Sequence, residues 1–321
     1  MHIDISVIIP VFNEEESLPE LYNWLQRVMT DHSFAYEVLF IDDGSNDGSW
    51  EVIQKLASLD SQVKAISFAR NFGKSAALDM GFAVAQGDVV ITMDADLQDS
   101  PDEIPALYEM IQKEGFEIVS GWKKKRLDPI SKTIPSRFFN GVTRGISGIK
   151  LHDFNCGLKA YNKKVVKNIH IYGEMHRYIP LIAKWQGFTK IGEKVVEHRP
   201  RKYGVTKFGW ERFINGFLDL ISVSFVHRYK KKPMHFFGTL GTVSFLSGFF
   251  ITLWLIGKKI HGLANELPVR EITAQPLFFL ALVALIVGVQ LFLTGFLAEL
   301  MASNNSRKAD YTIESKLNFK D

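Results

Sequence analysis

The sequence has one cysteine and a small net charge. Its 321 residues include Cys156 and carry a formal charge of +3 at pH 7. A single cysteine excludes an intrachain disulfide and is typical of a protein in a reducing compartment. No basic stripe with interleaved aromatic residues is present, so we expect no nucleic-acid partner. Residues 1–5 lack the basic start of a secretory signal, and we therefore expect no signal peptide.

Two common nucleotide-binding motifs are missing. No G-x-G-x-x-G follows the first apolar segment, and no G-x-x-x-x-G-K-[ST] occurs. Asn13 follows that segment, and then Glu14 and Glu15, whose negative charge would repel a pyrophosphate. A dinucleotide-dependent dehydrogenase and a P-loop enzyme are therefore disfavoured. Phosphate groups bound by this chain would need a metal ion or basic side chains from elsewhere.

Charged residues are missing from two long segments near the C-terminus. Residues 236–256 contain none, and residues 277–298 contain Gln290 as their one strongly polar residue. At ~1.5 Å per residue, each segment could cross a hydrocarbon core roughly 30 Å thick. Flanking basic residues predict that both termini are cytoplasmic and that residues 257–275 form an outer loop, although basic residues inside this loop weaken the contrast. The flanking residues are Arg228, Lys230, Lys231, Lys232, Arg307 and Lys308.

The first 120 residues alternate apolar strands with amphipathic helices. Strands are predicted at 6–11, 37–41, 63–68 and 89–93, and a capping box from Ser17 to Glu20 predicts the start of the first helix. This alternation predicts an α/β fold with a mostly parallel sheet covered on both faces. The carboxyl ends of parallel strands share one edge, so the polar residues that follow them should form one crevice. These residues are Asn13, Glu14, Glu15, Asp42, Asp43, Arg70, Asn71, Asp94 and Asp96.

The last of these strands runs into a D-x-D-x-Q sequence. In an extended chain alternate side chains share a face, so Asp94, Asp96 and Gln98 can converge on one point. Carboxylate and amide oxygens suit a hard divalent cation. A D-x-D by itself is equally compatible with an acidic turn that ends a strand. The shared edge of polar strand ends favours the metal site.

Two basic segments and one aromatic stripe lie in the second half of the chain. Residues 123–126, together with Lys132 and Arg137, form the first segment, and residues 198–207 form the second. Each segment is compatible with a solvated surface or with a site for anionic lipid or lipid phosphate. Aromatic and aliphatic residues from Trp210 to Phe225 recur at helical spacing. They predict an amphipathic helix in the membrane interface, with an ordinary core helix as the alternative.

Taken together, the motifs resemble the family-2 inverting glycosyltransferases, in the branch that makes polyprenyl-phosphate sugars. That branch includes the dolichol-phosphate mannose synthases and the bactoprenol glucosyltransferases. The resemblance covers the chain to about residue 210, and the two-span tail is similar to that of bacterial members. The Q-x-x-R-W motif of processive synthases is absent, which argues against polymer synthesis. The matching segments are residues 7–15, 42–49, 70–74, 94–101, 153–159 and 199–207.

The resemblance implies a GT-A-type domain and a role for each matching residue. It implies Mg²⁺ or Mn²⁺ held by Asp94, Asp96 and Gln98, and an acidic residue, Asp153, near the sugar. Asp96, Asp153, Arg137 and Arg199 are implied in catalysis. The implied acceptor-phosphate ligands are Lys123, Arg137, Arg199 and Lys207. The implied nucleotide-binding residues are Pro10, Phe12, Asn13, Glu14, Asp42, Asp43, Arg70, Lys74, Asp94 and Ala95, with Asp43 reading the edge of the base.

The implied function is sugar transfer, with inversion, from a nucleotide diphosphate sugar to a polyprenyl (undecaprenyl) phosphate. UDP-glucose is the favoured donor, while UDP-galactose, UDP-N-acetylglucosamine, GDP-mannose and a UDP-aminoarabinose derivative stay open. Another lipid acceptor, such as diacylglycerol, is an alternative. A non-catalytic nucleotide-sugar-binding membrane subunit belongs to a different class, and the complete set of metal and arginine candidates argues against it.

The resemblance also implies a cell location and a domain plan. The expected protein is multi-pass in the bacterial inner membrane, with its catalytic domain in the cytosol, and forms a homo-oligomer, a tetramer. Residues 1–207 are the expected GT-A domain and 208–232 the juxtamembrane helices. Residues 233–303 are the expected pair of membrane helices, and 304–321 a cytosolic tail.

Overall fold

The computed structural model describes residues 2–124, 140–145, 147–200, 202–203, 233–268, 270–304 and 313–317. The chain forms two compact units, Met1–Leu220 with Asp310–Asp321, and Ile221–Ala309. The predicted ligands Arg137 and Lys207 and the predicted interfacial helix at 208–232 lie outside the described residues.

The first unit contains an eight-stranded sheet with the order β7-β5-β6-β4-β1-β2-β3-β8. Its strands are β1 (Ile5–Val11), β2 (Tyr36–Asp42), β3 (Val63–Phe68), β4 (Val89–Thr92), β5 (Ile118–Trp122), β6 (Lys159–Asn162), β7 (Ile191–Val195) and β8 (Ile313–Leu317). In the described part of this unit, the helices with defined ends are α1 (Leu18–Asp31), α2 (Ser49–Leu59), α3 (Lys74–Val84), α4 (Ile104–Gln112), α5 (Lys163–Asn168) and α6 (Ile179–Trp185), and residues 140–145 are also helical. Single 3₁₀ turns occur at Pro101–Glu103 and Met175–Arg177.

The sheet is parallel where the crevice was predicted. β1 lies between β2 and β4 and is parallel to both, and β3 is parallel to β2. The carboxyl ends of these strands therefore meet at one edge, as expected from the sequence. Beyond them, β6 runs antiparallel to β4 and β5, and β7 runs parallel to β5. The predicted mostly parallel α/β sheet is confirmed.

Strand β8 was not predicted from the sequence. It pairs antiparallel with β3, and Ile66 lies opposite Lys316. Residues 313–317 are a short segment with charged residues at two positions, so the apolar pattern typical of a strand is weak there. Backbone hydrogen bonds to β3, whose other side pairs with β2, hold this segment as a strand.

The core lies on both faces of the sheet because neighbouring side chains of a strand point in opposite directions. In β1, Val7 and Ile9 face the layer that contains Leu25 of α1, whereas Ile8 faces the layer that contains Phe82 of α3. All of these side chains are buried. Burial of each such side chain contributes roughly 1.5–3 kcal/mol. Helices on both faces are therefore required to cover β1 completely.

The capping box predicted at the start of α1 was wrong. The Ser17 hydroxyl makes no cap to a helix amide and instead donates to the Glu14 carbonyl oxygen at 3.0 Å. A capping side chain accepts from the third helix amide, here that of Glu20, when its own backbone is extended, but Ser17 has a helical backbone with φ −87° and ψ −29°. The hydroxyl therefore stabilises the loop before the helix.

The second unit contains two long apolar helices, α7 (Pro233–Ala264) and α8 (Pro276–Asn304). Both are long and apolar enough to cross a membrane and are candidate membrane spans. Helix α7 continues to Ala264, so the loop predicted at 257–275 is shorter than expected. The helices pack closely through small residues: a Cβ atom at Gly241 would lie 2.7 Å from the Gly288 carbonyl oxygen, and one at Gly248 would lie 2.6 Å from the Ala281 carbonyl oxygen.

The Gly288→Leu substitution should separate α7 from α8. A Cβ atom at Gly288 would lie 2.6 Å from the Phe245 backbone nitrogen, so a larger side chain requires the helices to move apart. We expect a loss of about 1–3 kcal/mol in the free energy of unfolding of the pair. The measurement is a thermal melt of the detergent-solubilised protein. The control is Gly257→Leu in α7, where a Cβ atom meets nothing within 4 Å. Equal melting temperatures for the two variants would contradict the packing.

Candidate active site

The loops after β1 and β2 are joined by reciprocal hydrogen bonds. The Asn13 amide donates to Ser45 Oγ at 2.9 Å, and the Asn46 amide donates to Asn13 Oδ1 at 2.8 Å. The Glu14 amide donates to Ser49 Oγ, also at 2.9 Å. Asn13 has a φ of 56°, a left-handed conformation that asparagine tolerates better than most residues. These contacts give the predicted nucleotide-binding loops a defined shape.

The adjacent carboxylates Asp42 and Asp43 connect the β2 end to the β3 end. Asp42 accepts a hydrogen bond from Ser67 Oγ at 2.9 Å. Asp43 accepts from the amides of Phe72 and Gly73 at 2.7 and 2.9 Å. Burial raises the pKa of Asp43 to about 6, although both amides favour its charged form. Asp43 therefore shapes the turn that precedes α3, in addition to any contact with a nucleotide.

Arg70 lies at the end of β3 in the same group of loops. Its guanidinium group lies 4.1 Å above the Phe72 ring and donates to the Asn71 carbonyl oxygen at 3.2 Å. The side chain is exposed, so it can contact a ligand without losing a buried partner. Pro10, Phe12 and Ala95, which were also predicted to bind nucleotide, lie at this edge, in or directly after β1 and after β4.

The D-x-D-x-Q segment is a turn in the structure. β4 ends at Thr92, and Leu97 has a φ of 60°. Asp96, whose exposed fraction is 9%, accepts a hydrogen bond from the Gln98 amide at 3.1 Å. The expectation that an extended chain aligns Asp94, Asp96 and Gln98 was therefore wrong. Instead, the Asp96 carboxylate stabilises a turn by accepting from the Gln98 backbone amide, while the Gln98 side chain donates to the Arg199 carbonyl oxygen.

Asp94 lies among positively charged side chains. Its Oδ1 atom forms an ion pair with the Lys74 ammonium group. Burial favours the neutral form of the carboxyl group, but the charges of Lys74, Lys123 and Lys159 outweigh burial and lower the pKa of Asp94 to about 2. On the other side of the carboxylate, a Cβ atom at Gly157 would lie 2.6 Å from Asp94 Oδ2, so only glycine leaves room there.

Lys123, a predicted acceptor-phosphate ligand, contacts a buried acid in the structure. Its ammonium group lies 2.8 Å from Asp99 Oδ1, and the side-chain exposures are 13% for Lys123 and 0% for Asp99. Burial by itself would lower the pKa of Lys123, but the Asp99 carboxylate raises it above its ordinary value. Contact of Lys123 with an acceptor stays a prediction.

Arg199 is attached to the D-x-D-x-Q turn through its backbone. Its amide donates to the Gln98 carbonyl oxygen at 3.1 Å, and Gln98 Nε2 donates to the Arg199 carbonyl oxygen at 3.4 Å. Its guanidinium group lies 4.3 Å above the Trp24 ring and 3.4 Å from the Glu197 carboxylate. The structure thus places Arg199 beside the turn with its charged group on α1.

Asp153 is buried in the segment that leads into β6. Its Oδ1 atom accepts a hydrogen bond from the Asn155 amide at 3.0 Å, and its carbonyl oxygen accepts from Ser120 Oγ at 3.2 Å. These contacts fix the start of the 153–159 segment, which also carries Gly157.

Sequence reasoning missed Asp99 and Lys159 as parts of this site. Lys159 is buried at the start of β6, and its ammonium group donates to the Cys156 carbonyl oxygen. Burial lowers the pKa of Lys159. No spacing rule connects Asp99 to Lys123, because the partners follow different strands. One sequence signal pointed to the two missed residues: Asp99 lies in the matching segment 94–101 and Lys159 in 153–159, and both segments also carry predicted site residues.

The donor set of the D-x-D-x-Q turn fits a hard divalent ion. It contains two carboxylates and one amide oxygen, the ligand types that Mg²⁺ and Mn²⁺ take in proteins. The room at Gly157 lets the Asp94 carboxylate sit close to the backbone. Among the residues that the structure describes, no group of three or more His, Cys, Asp or Glu side chains could hold a metal ion, so this donor set depends on the Gln98 amide as its third member.

Residues 6–170 match the sequence profile described as Glycosyl transferase family 2. The chain belongs to this family. The matched region begins in β1 and ends after α5, so it includes the four parallel strand ends and the D-x-D-x-Q turn.

Two curated relatives of this family-2 glycosyltransferase align with most of its length. Dodecaprenyl-phosphate galacturonate synthase from Rhizobium johnstonii is 35% identical over 304 residues, which cover 94% of this chain and 88% of the relative. Undecaprenyl-phosphate 4-deoxy-4-formamido-L-arabinose transferase from Pseudomonas aeruginosa is 34% identical over 258 residues, which cover 80% and 74%. The resemblance to the polyprenyl-phosphate branch is confirmed.

Solved structures show the same fold. Glucosyl-3-phosphoglycerate synthase from Mycobacterium tuberculosis, in complex with UDP, is 19% identical with a TM-score of 0.54, covering 70% of this chain and 80% of that one. The same enzyme with Mn²⁺ and UDP-glucose is 20% identical with a TM-score of 0.52, covering 70% and 79%. The GT-A-type fold of the family-2 glycosyltransferase is confirmed.

Proposed function

We propose that the chain transfers a sugar from a nucleotide diphosphate sugar to a polyprenyl phosphate, with inversion. One observation carries the proposal: relatives named for prenyl-phosphate acceptors align with 94% and 80% of the chain. The D-x-D-x-Q turn in the crevice and the two candidate spans supply what such a reaction needs, a site for a diphosphate and a membrane attachment.

The donor sugar is a modified sugar in this proposal. UDP-glucose was favoured from the sequence, but the relatives are named for galacturonate and for 4-deoxy-4-formamido-L-arabinose. We therefore place UDP-galacturonate and a UDP-aminoarabinose derivative ahead of UDP-glucose. Undecaprenyl phosphate is the first acceptor to test.

The proposed metal ligands are Asp94, Asp96 and Gln98, which would hold Mg²⁺ or Mn²⁺. The ion would supply charge stabilisation for the departing nucleotide. The Gln98 backbone amide donates a hydrogen bond to Asp96 Oδ1, and its side-chain Nε2 donates to the Arg199 carbonyl oxygen. These two contacts restrain the backbone and the side chain of Gln98, which supports its proposed role.

The remaining proposed roles concern positioning. The acceptor phosphate is an anion at neutral pH, so the reaction needs no strong general base. A backbone hydrogen bond to Gln98 holds Arg199 beside the turn. Its guanidinium group can donate forked, charge-assisted hydrogen bonds to a phosphate. Arg137 has the same proposed role, and Asp153 is proposed to lie near the sugar. Correct placement of the two substrates is then the main source of rate acceleration.

The proposed location is the bacterial inner membrane, with the sheet unit in the cytosol. β8 follows α8 in the chain and pairs with β3. Met1–Leu220, before the helices, and Asp310–Asp321, after them, therefore belong to the same compact unit. Two crossings return the chain to the side on which it started, which supports placing both termini on one side, and the flanking basic residues favour the cytosol for that side. A homo-oligomer stays a prediction.

A panel of donors and acceptors tests the proposed function. The purified protein, with Mn²⁺ or Mg²⁺, is incubated with each nucleotide sugar named above and either undecaprenyl phosphate or diacylglycerol. We expect a sugar-linked polyprenyl phosphate, detected by mass spectrometry, with one modified donor. Product formation from diacylglycerol alone would overturn the acceptor, and product formation from UDP-glucose alone would overturn the choice of sugar.

Donor binding should weaken below about pH 6. In the proposal Asp43 accepts a hydrogen bond from the base, which requires the carboxylate. Because burial raises its pKa to about 6, the group is mostly neutral at lower pH. We expect affinity for a UDP-sugar to fall about tenfold between about pH 7.5 and about pH 5, measured by calorimetry. Asp43→Asn should bind weakly at both pH values. A wild-type affinity that does not change over this range would contradict the role of Asp43.

A further inference from the structure

Lys74 forms an ion pair with Asp94, a carboxylate that is also a proposed ligand of the metal ion. The Lys74 ammonium group pairs with Oδ1 of Asp94. The side-chain exposures are 33% for Lys74 and 34% for Asp94, so the pair lies in the open part of the crevice. A protein cation and a divalent ion cannot both approach one carboxylate oxygen closely, because their charges repel each other.

The backbone on both sides of Lys74 is held in place. Lys74 is the first residue of α3, and the preceding Gly73 has a φ of 94° and donates its amide to Asp43. The following Ser75 is buried, and its hydroxyl oxygen accepts a hydrogen bond from the His176 amide at 3.0 Å. The Lys74 side chain is therefore the part that can change partner while its helix stays fixed.

Lys74 is also the accessible member of the group of lysines around Asp94. Lys123 is 13% exposed and paired with Asp99, and buried Lys159 donates to the Cys156 carbonyl oxygen. Both would lose a buried partner if they moved, which is costly. Lys74 would leave only Asp94, whose charge the incoming ion would neutralise.

We propose that Lys74 is an exchangeable counter-ion, which neutralises Asp94 before substrates bind and moves to the donor diphosphate when the metal ion takes its place. The inference rests on the proposed metal-dependent function. The diphosphate is the anion that arrives with the metal, and an ammonium group on a long flexible stem suits it. Metal ion and nucleotide should then each strengthen binding of the other, because coupling between two ligands is reciprocal.

The test measures the Mn²⁺ affinity of the full-length protein by electron paramagnetic resonance, with and without UDP. In the wild type we expect UDP to strengthen Mn²⁺ binding. In Lys74→Met, Mn²⁺ alone should bind about tenfold more tightly, because no ammonium group competes for Asp94. UDP should bind more weakly to the same variant and should strengthen Mn²⁺ binding less than in the wild type. Lys74→Arg keeps the charge and should restore the coupling.

The matched control is Lys113→Met, which removes an exposed lysine from an ion pair with Glu109 on α4. If Lys74→Met binds Mn²⁺ as the wild type and Lys113→Met do, or binds it more weakly, the exchange is wrong while the proposed function stands. If the wild type binds no Mn²⁺ with or without UDP, both the metal-dependent function and the exchange are wrong.

Discussion

Asp96→Ala should abolish sugar transfer, with a loss of roughly a thousandfold or more, because it removes both a charge and a structural contact. The carboxylate is a proposed metal ligand, and several kcal/mol of charge stabilisation correspond to a rate factor of this size. It also accepts the hydrogen bond from the Gln98 amide that closes the turn. Its loss should therefore release a second proposed ligand.

Asp96→Asn separates the two effects. Asparagine keeps an oxygen that can accept from the Gln98 amide, but it lacks the negative charge. We expect transfer by Asp96→Asn to fall almost as far as that by Asp96→Ala, while its thermal unfolding matches the wild type. Radiolabelled sugar incorporated into lipid measures the rate. Substantial turnover by either folded variant would show that Asp96 is not a metal ligand.

Lys123→Ala should destabilise the first unit by about 3–5 kcal/mol, since it leaves the fully buried Asp99 carboxylate without its partner. The Asp99→Asn, Lys123→Met double variant should recover much of this loss, because neither remaining side chain is charged. Chemical denaturation of the purified protein measures the free energies of unfolding. Lys113→Ala, at an exposed ion pair, should show no clear loss.

Two further single variants, Lys123→Met and Lys123→Arg, decide between two roles for Lys123. If the residue mainly binds the acceptor phosphate, Lys123→Met should leave the stability unchanged and raise the KM for polyprenyl phosphate. If it mainly supports the D-x-D-x-Q turn through Asp99, stability should fall and Lys123→Arg should restore it. A stable Lys123→Met protein would contradict the structural role.

The strands of the crevice could be predicted because they follow simple rules. β1 to β4 are short apolar segments separated by amphipathic helices, and polar residues follow each of them. Parallel pairing then places Asn13, Asp43, Arg70 and Asp94 at one edge without further information.

The details within the crevice could not be predicted from local patterns. The left-handed conformation of Leu97 replaced the expected extended chain with a turn. The ion pairs of Lys74 with Asp94 and of Lys123 with Asp99 join residues from different loops, so no periodicity predicts them. The helical backbone conformation of Ser17 prevented the cap that the residue types alone had predicted.

For the apolar helices, too, the sequence predicted the elements but not the contact between them. Their length and lack of charge were evident in the sequence, and the structure confirms two candidate spans. Their contact could not be predicted, because the close approach of Gly241 to Gly288 depends on the antiparallel register of the two helices. Small residues reveal an interface only when their partner helix is known.

The central claim is tested most directly by nucleotide release that depends on the lipid acceptor. Purified protein with Mn²⁺ and the active donor is followed over time, with and without undecaprenyl phosphate. We expect release of one nucleotide for each lipid-linked sugar formed, with inverted anomeric configuration by NMR, and no release after chelation of the metal. Nucleotide binding without acceptor-dependent release from any donor would contradict the account and identify the chain as a binding subunit.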